Sequence, residues 1–169
     1  MLPLVHHLRH MAKSIERNAS VIVRLSLFTI RIKMNRLFTL LPPDSVSMVS
    51  DLVSSFDNLT ISIVSPRKRK LGDYCKQLSG THRITLNENL PPYAMLIVLV
   101  HELAHLKTRL IHGKNVTSHG KEWKAIYSNM LKEFIYKNIF PQNIAQDVML
   151  HAQKPCACFP KTLDKLRQE

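Results

Sequence analysis

Pro92-Tyr-Ala-Met-Leu-Ile-Val-Leu-Val-His101-Glu-Leu-Ala-His105 is the stretch whose reading decides the fold. From Tyr93 to Val100 it is almost wholly apolar, and then two histidines and a glutamate arrive within residues 101–105. Pro91-Pro92 suits the start of a helix, because a first-turn residue has no intrahelical use for an N–H. A helix that is apolar nearly all round must be covered on several sides. The reading therefore predicts a buried central helix from Pro92 to about Leu110, stopped by His112-Gly113.

Residues four apart project from one helix face, so the imidazoles of His101 and His105 can share one metal ion. Zn²⁺ accepts three nitrogen ligands and leaves a fourth tetrahedral position open. Glu102 sits beside His101, reaches the same space, and is the base such a site needs to take a proton from water. The plain alternative is a histidine pair packed and hydrogen-bonded in an ordinary helix. Two imidazoles and a carboxylate are costly to bury at the end of so apolar a helix, which favours a metal site. The third ligand has two candidates. His112 would stand roughly 10 Å along the axis from His105 if the helix continues, too far for one tetrahedron. His119 opens a new segment after a loop and can fold back, so His119 is preferred. Gly120 allows close backbone packing there. Trp123 either packs behind His119 or belongs to the core, and Glu122 either orients a ligand or lies on a solvated face.

On the N-terminal side, Asp44 or Ser45 can cap a helix in which Val46, Val49, Leu52, Val53 and Phe56 form one stripe. Leu59, Ile61 and Ile63 alternate with Thr60 and Ser62, a strand pattern. Leu71–Gln77 and Arg83–Leu86 are further strand candidates, separated by a turn at Ser79-Gly80. Together they predict a small antiparallel sheet. On the C-terminal side, Ser118 can cap a helix to about Asn138, with Trp123, Ile126, Tyr127, Met130, Leu131 and Phe134 as its core face. Pro141 leads into a last helix, Gln142–Gln153. The fold class is α+β.

The chain has 169 residues and a formal net charge of +12, from 24 Lys+Arg against 12 Asp+Glu. Its length suggests one domain, read as residues 34–153, between a basic extension over 1–33 and a tail over 154–169. The basic excess names DNA as a candidate partner through phosphate neutralisation, beside the plainer reading of a solvated basic surface. Arg67–Lys70 is either a nuclear localisation run or, by default, a solvated turn. Three cysteines, Cys75, Cys156 and Cys158, do not make a disulfide framework and read as free thiols, which fits a reducing, cytoplasmic setting. No apolar run reaches the ~20 residues of a membrane span. The first 33 residues are basic and acid-poor, as transit peptides are, but lack the clear small-residue cleavage site after a compact apolar core that marks a secretory signal.

Val-His-Glu-Leu-Ala-His, thirteen intervening residues, then His-Gly-Lys-Glu-Trp-Lys closely resembles the SprT-like zinc metallopeptidase family, which includes the Spartan protease that cleaves proteins crosslinked to DNA. The sheet and the Asn87–Tyr93 lead-in resemble its compact bacterial members of the Bacteroidetes type. The resemblance spans about Leu59–Asn138 well and Met34–Gln153 loosely. It implies His101, His105 and His119 as Zn²⁺ ligands, Glu102 as catalytic base, and a small sheet packed on a zincin-like helical core. Many members add a zinc ribbon with two cysteine pairs. Here Cys156-Ala-Cys158 has no second pair after it, and two thiolates alone do not complete a four-ligand site.

The leading expectation is a zinc metallopeptidase acting on protein substrates, on or near DNA. Tyr93, Tyr127 and His112 are the candidates for stabilising an oxyanion. The alternative is a non-catalytic, zinc-containing nucleic-acid-associated module, against which the presence of Glu102 argues.

Overall fold

The computed structural model describes residues 35–158. The expectations for residues 1–33 and 159–169 lie outside the described residues. In chain order the elements are a 3-10 turn Pro43–Ser45, α1 Val46–Ser54, β1 Leu59–Val64, β2 Gly72–Lys76, β3 His82–Asn87, α2 Pro92–His112, α3 Lys121–Tyr136 and α4 Gln142–Gln153.

The arrangement is α+β, but the sheet is mixed rather than antiparallel. Its strand order is β1-β3-β2, with β1 parallel to β3 and β2 antiparallel to β3. The physical reason lies in the connections. The turn after β2 is tight: Gly80, at φ 86°, donates to the Gln77 carbonyl, and Gln77 donates to the Thr81 carbonyl. A short turn makes β2 and β3 an antiparallel pair. The seven residues between Val64 and Gly72 instead step across the end of β3, a reach of about two strand spacings. The Asn87 side chain holds that crossing. Its Oδ1 accepts from Arg67 Nε at 2.9 Å, and its Nδ2 donates to the carbonyls of Arg67 at 3.2 Å and Lys70 at 2.9 Å. Arg67 also donates to the Thr85 hydroxyl at 3.0 Å. The Arg67–Lys70 run is thus part of a crossover loop whose first cation is stapled to β3, not a solvated hairpin turn.

Alternation in β3 buries His82, Ile84 and Leu86, and Ile84 faces Ile61 across the parallel pair. Against the sheet lies α2, packed on β2 and β3 on one side and on α3 on the other. Residues 94–104 of α2 are buried without exception. The helix starts with Pro92 after Pro91 and ends at Gly113, whose φ of 76° an L side chain rarely adopts. It runs two residues past the expected end, which leaves Leu110 and Ile111 exposed. On its far side α3 buries Trp123, Tyr127, Met130, Leu131 and Phe134, and α4 packs on α3.

Two expected caps do not form. Ser45 donates its hydroxyl back to the Pro42 carbonyl instead of capping α1. Ser118 lies within a turn, and α3 begins after Gly120 without a side-chain cap. In α1 only Val49 of the expected stripe is fully buried. No helix among the described residues is long and apolar enough to cross a membrane.

Candidate metal centre

His101 and His105 leave one face of α2 a turn apart, as the helical repeat requires. His119 reaches them from the loop between α2 and α3. Gly113 turns the chain away from the helix, and the stretch Thr117–Gly120 then closes as a β-turn, with Gly120 donating to the Thr117 carbonyl at 2.9 Å. The third residue of that turn is His119, at φ 58°. This left-handed conformation, uncommon outside glycine and asparagine, aims the imidazole back at α2.

The three Nε2 atoms form a closed triangle: His101 to His105 3.3 Å, His105 to His119 3.0 Å, His119 to His101 3.0 Å. Such a triangle cannot satisfy itself with protons. Each Nε2 is either an N–H or a lone pair, so at least one edge sets like against like. One cation at the centre takes all three lone pairs at once. Tetrahedral zinc with Zn–N of 2.0–2.1 Å separates its nitrogens by about 3.3 Å, close to these edges. Among the described residues this is the one His/Cys/Asp/Glu group able to hold a metal ion.

The surroundings keep the imidazoles neutral, the form that ligates. Burial, followed by the neighbouring His105, His119 and His151, pushes His101 down to about 3. Burial and His119 push His105 down to about 4, and burial lowers His119. Behind the triad, Trp123 is fully buried and meets all three rings, with centroids 4.7 Å from His101, 5.2 Å from His105 and 4.5 Å from His119. It is both core and backing wall. Tyr127 stacks on Trp123 at 4.8 Å and holds His151 of α4 by its hydroxyl at 3.2 Å.

Glu102 is buried on the adjoining side of α2, against the first residues of β2. The Tyr74 backbone N–H donates to its carboxylate. Burial, with Asp73 adding to it, nevertheless pushes Glu102 up to about 8, against the opposing pull of that N–H, Lys70 and Arg67. Asp73 itself is paired with Lys70 at 2.5 Å. Triad and carboxylate share one cleft of about 700 Å³.

The model of the SprT-like family matches residues 50–145, more than half of the chain, and that span contains the triad, Glu102 and all three strands. The chain belongs to the SprT-like family. No characterised protein and no solved structure matches it.

Within this SprT-like chain the remaining candidates fall elsewhere. Tyr93 packs on Phe140, Tyr127 is buried behind the triad, and His112 is exposed at the end of α2. None of the three lines the cleft. Glu122 lies 4.0 Å from Lys121, and the Nδ1 of His119 faces the Ser118 hydroxyl at 3.4 Å. Cys156 and Cys158 are joined in a disulfide rather than free, which their Cα separation of 5.2 Å permits, and Ala157 between them lines the cleft. Cys75 is a free thiol on β2. Residues that support the site without a recognisable sequence signal are Gly72, Asp73 and Tyr74, brought to Glu102 only by the packing of β2 on α2.

Proposed function

We propose that this SprT-like protein is a zinc-dependent metallopeptidase, with His101, His105 and His119 holding the metal and Glu102 serving as base. The observation that carries this reading is the pairing of a closed imidazole triangle with a buried carboxylate on the next residue of the same helix. Zn²⁺ bound there would supply Lewis acidity, polarising a carbonyl and bringing the pKa of water toward ~7. The protein's own part is positional. α2 sets the spacing of two ligands, the Thr117–Gly120 turn brings the third, and β2 holds Glu102 against the cleft. In its ionised form the Glu102 carboxylate can accept a proton from water and return it to a leaving amine. In β2 the residues alternate, so that Asp73 and Cys75 point their backbone groups at β3 while Tyr74 points away from it. The Tyr74 N–H is given to Glu102, so the outer edge of β2 offers an extended substrate strand the outward Tyr74 carbonyl as an acceptor.

The test is cleavage of a disordered protein by the zinc-loaded chain and by Glu102→Gln, each with and without DNA. Cleavage lost in the variant supports the assignment, and stimulation by DNA would support the DNA-associated substrates that the family resemblance implies. Equal cleavage by both chains would remove Glu102 from the chemistry. Zinc retained with no cleavage under any condition would favour the non-catalytic module.

A further inference from the structure

The walls of the cleft carry five cations. Lys68, Arg69 and Lys70 come from the crossover loop that leads into β2; Arg109 and Lys114 come from the end of α2 and the loop beyond it. Arg109 is one helical turn past His105 and close enough to β2 to act on the Tyr74 hydroxyl. Against them stand two lining acids, Asp73 and Glu102. Asp73 is taken by Lys70. Among the described residues Lys68, Arg69, Arg109 and Lys114 form no ion pair. Uncompensated like charges lining one cleft raise the local potential and attract the opposite sign.

We propose that the cleft selects acidic polypeptide segments, with Asp or Glu side chains near the scissile bond held by Arg69 and Lys68 on one wall and by Arg109 and Lys114 on the other. The inference deepens the peptidase reading and rests on it. A polypeptide is favoured over a nucleic acid because the cations share the cleft with the outer edge of β2. There the outward Tyr74 carbonyl can accept from the N–H of an extended chain, a donor that a sugar-phosphate backbone does not carry. Lys68, Arg69 and Lys114 are exposed and Arg109 is half-buried, and each contact is worth little alone, so selectivity comes from several acting together.

The experiment separates binding from cleavage. Fluorescence anisotropy on zinc-loaded Glu102→Gln protein compares a labelled acidic peptide, its Asp→Asn and Glu→Gln counterpart, and a single-stranded oligonucleotide of equal charge. The acidic peptide is expected to bind about 10-fold tighter than its neutral counterpart at moderate salt. Adding Arg69→Gln and Lys114→Gln should remove most of that preference. Adding Arg83→Gln and Lys137→Gln, which subtract the same charge from exposed positions that do not line the cleft, should leave it. Equal binding of acidic and neutral peptides overturns the proposal, as does an equal loss in the two charge variants. Tighter binding of the oligonucleotide than of the acidic peptide, lost with Arg69 and Lys114, also overturns it and assigns the cleft walls to nucleic acid. Cleavage of the bound acidic peptide by the parent chain is read separately. Its absence would refute the peptidase reading while leaving the binding comparison intact.

Discussion

A methyl group added to Gly72 would stand 2.8 Å from Oε1 of Glu102 and 2.7 Å from Cγ1 of Val98. Neither contact is sterically allowed, so the first residue of β2 sets how closely the strand approaches the carboxylate. Gly72→Ala should therefore move Glu102 or the strand. The overpacking is expected to cost roughly 1–3 kcal/mol of stability. A base displaced by even a fraction of an ångström should lower kcat/KM by about 10- to 100-fold. Zinc content should stay at one equivalent, because none of the three imidazoles is touched. Equal activity at equal zinc occupancy would show that the spacing of Gly72 and Glu102 is not used.

His119 combines a proposed ligand with a left-handed backbone, and the two demands conflict. A non-glycine residue at φ 58° costs of order 1 kcal/mol, which a metal held by the imidazole would offset. His119→Gly removes the ligand and relieves the backbone, whereas His119→Ala removes the ligand only. Both variants should lose zinc affinity by more than ~100-fold in chelator competition, since loss of an outer-shell partner alone can cost that much. Without metal, the glycine variant should melt higher than the alanine variant, by the order of 1 kcal/mol. Identical melting of the two would show that the Thr117–Gly120 turn holds no strain.

These residues also mark how far the sequence is legible. His101 and His105 can be paired from sequence because the helical repeat is local and a run as apolar as residues 93–100 fixes both helix and burial. His112 can be rejected by the same local geometry. His119 is accessible as a returning residue, but its left-handed φ is not, since Gly120 beside it is the residue that composition nominates for that conformation. Strand existence is legible at β1, β2 and β3, whereas their order is not: period-two alternation states which face is buried, not which strand is the neighbour. The parallel pairing of β1 and β3 follows from a crossover whose anchors, Arg67 and Asn87, are 20 residues apart. The support of Glu102 by Gly72 and Tyr74 is equally non-local. The disulfide of Cys156 and Cys158 lies outside what an odd, sparse cysteine set suggests.

Asn87 uses its whole amide on the crossover loop and is 1% exposed. Asn87→Ala leaves the Arg67 Nε and two loop carbonyls without that partner. The expected loss is roughly 2–4 kcal/mol in denaturant unfolding. Asn87→Asp keeps the acceptor for Arg67 but withdraws both donors, so it should recover only part of the loss. Because the same loop carries Lys68 and Arg69 to the cleft, both variants should also weaken acidic-peptide binding while the zinc stoichiometry stays unchanged. A loss below ~0.5 kcal/mol in Asn87→Ala would mean that the loop is held by other contacts.

The titration of the metal-free protein follows from opposite displacements at the site. The three histidines are held below their ordinary value of 6.5, and because His101 and His105 are held down to about 3 and about 4, between roughly pH 4 and 6.5 the unfolded chain binds more protons than the folded one. Their contribution is present above pH 6.5 and is lost as pH falls. Glu102 is displaced the other way, from 4.5 to about 8, so the folded chain binds the extra proton between those values. Its contribution is present below pH 4.5 and is lost as pH rises toward 8. Between 4.5 and 6.5 His101 and His105 already outweigh one glutamate, and above 6.5 Glu102 alone of these groups still titrates. These groups therefore place the stability maximum of the metal-free protein near pH 6.5. The decline from there to pH 8 should be of order 2 kcal/mol, at ~1.4 kcal/mol per pH unit for one proton. Glu102→Gln cannot ionise and should abolish this decline while keeping the acid limb. Urea unfolding of the chelated protein and the variant between pH 4 and 9 measures both limbs. A decline of the same size in Glu102→Gln would place the responsible proton on another group.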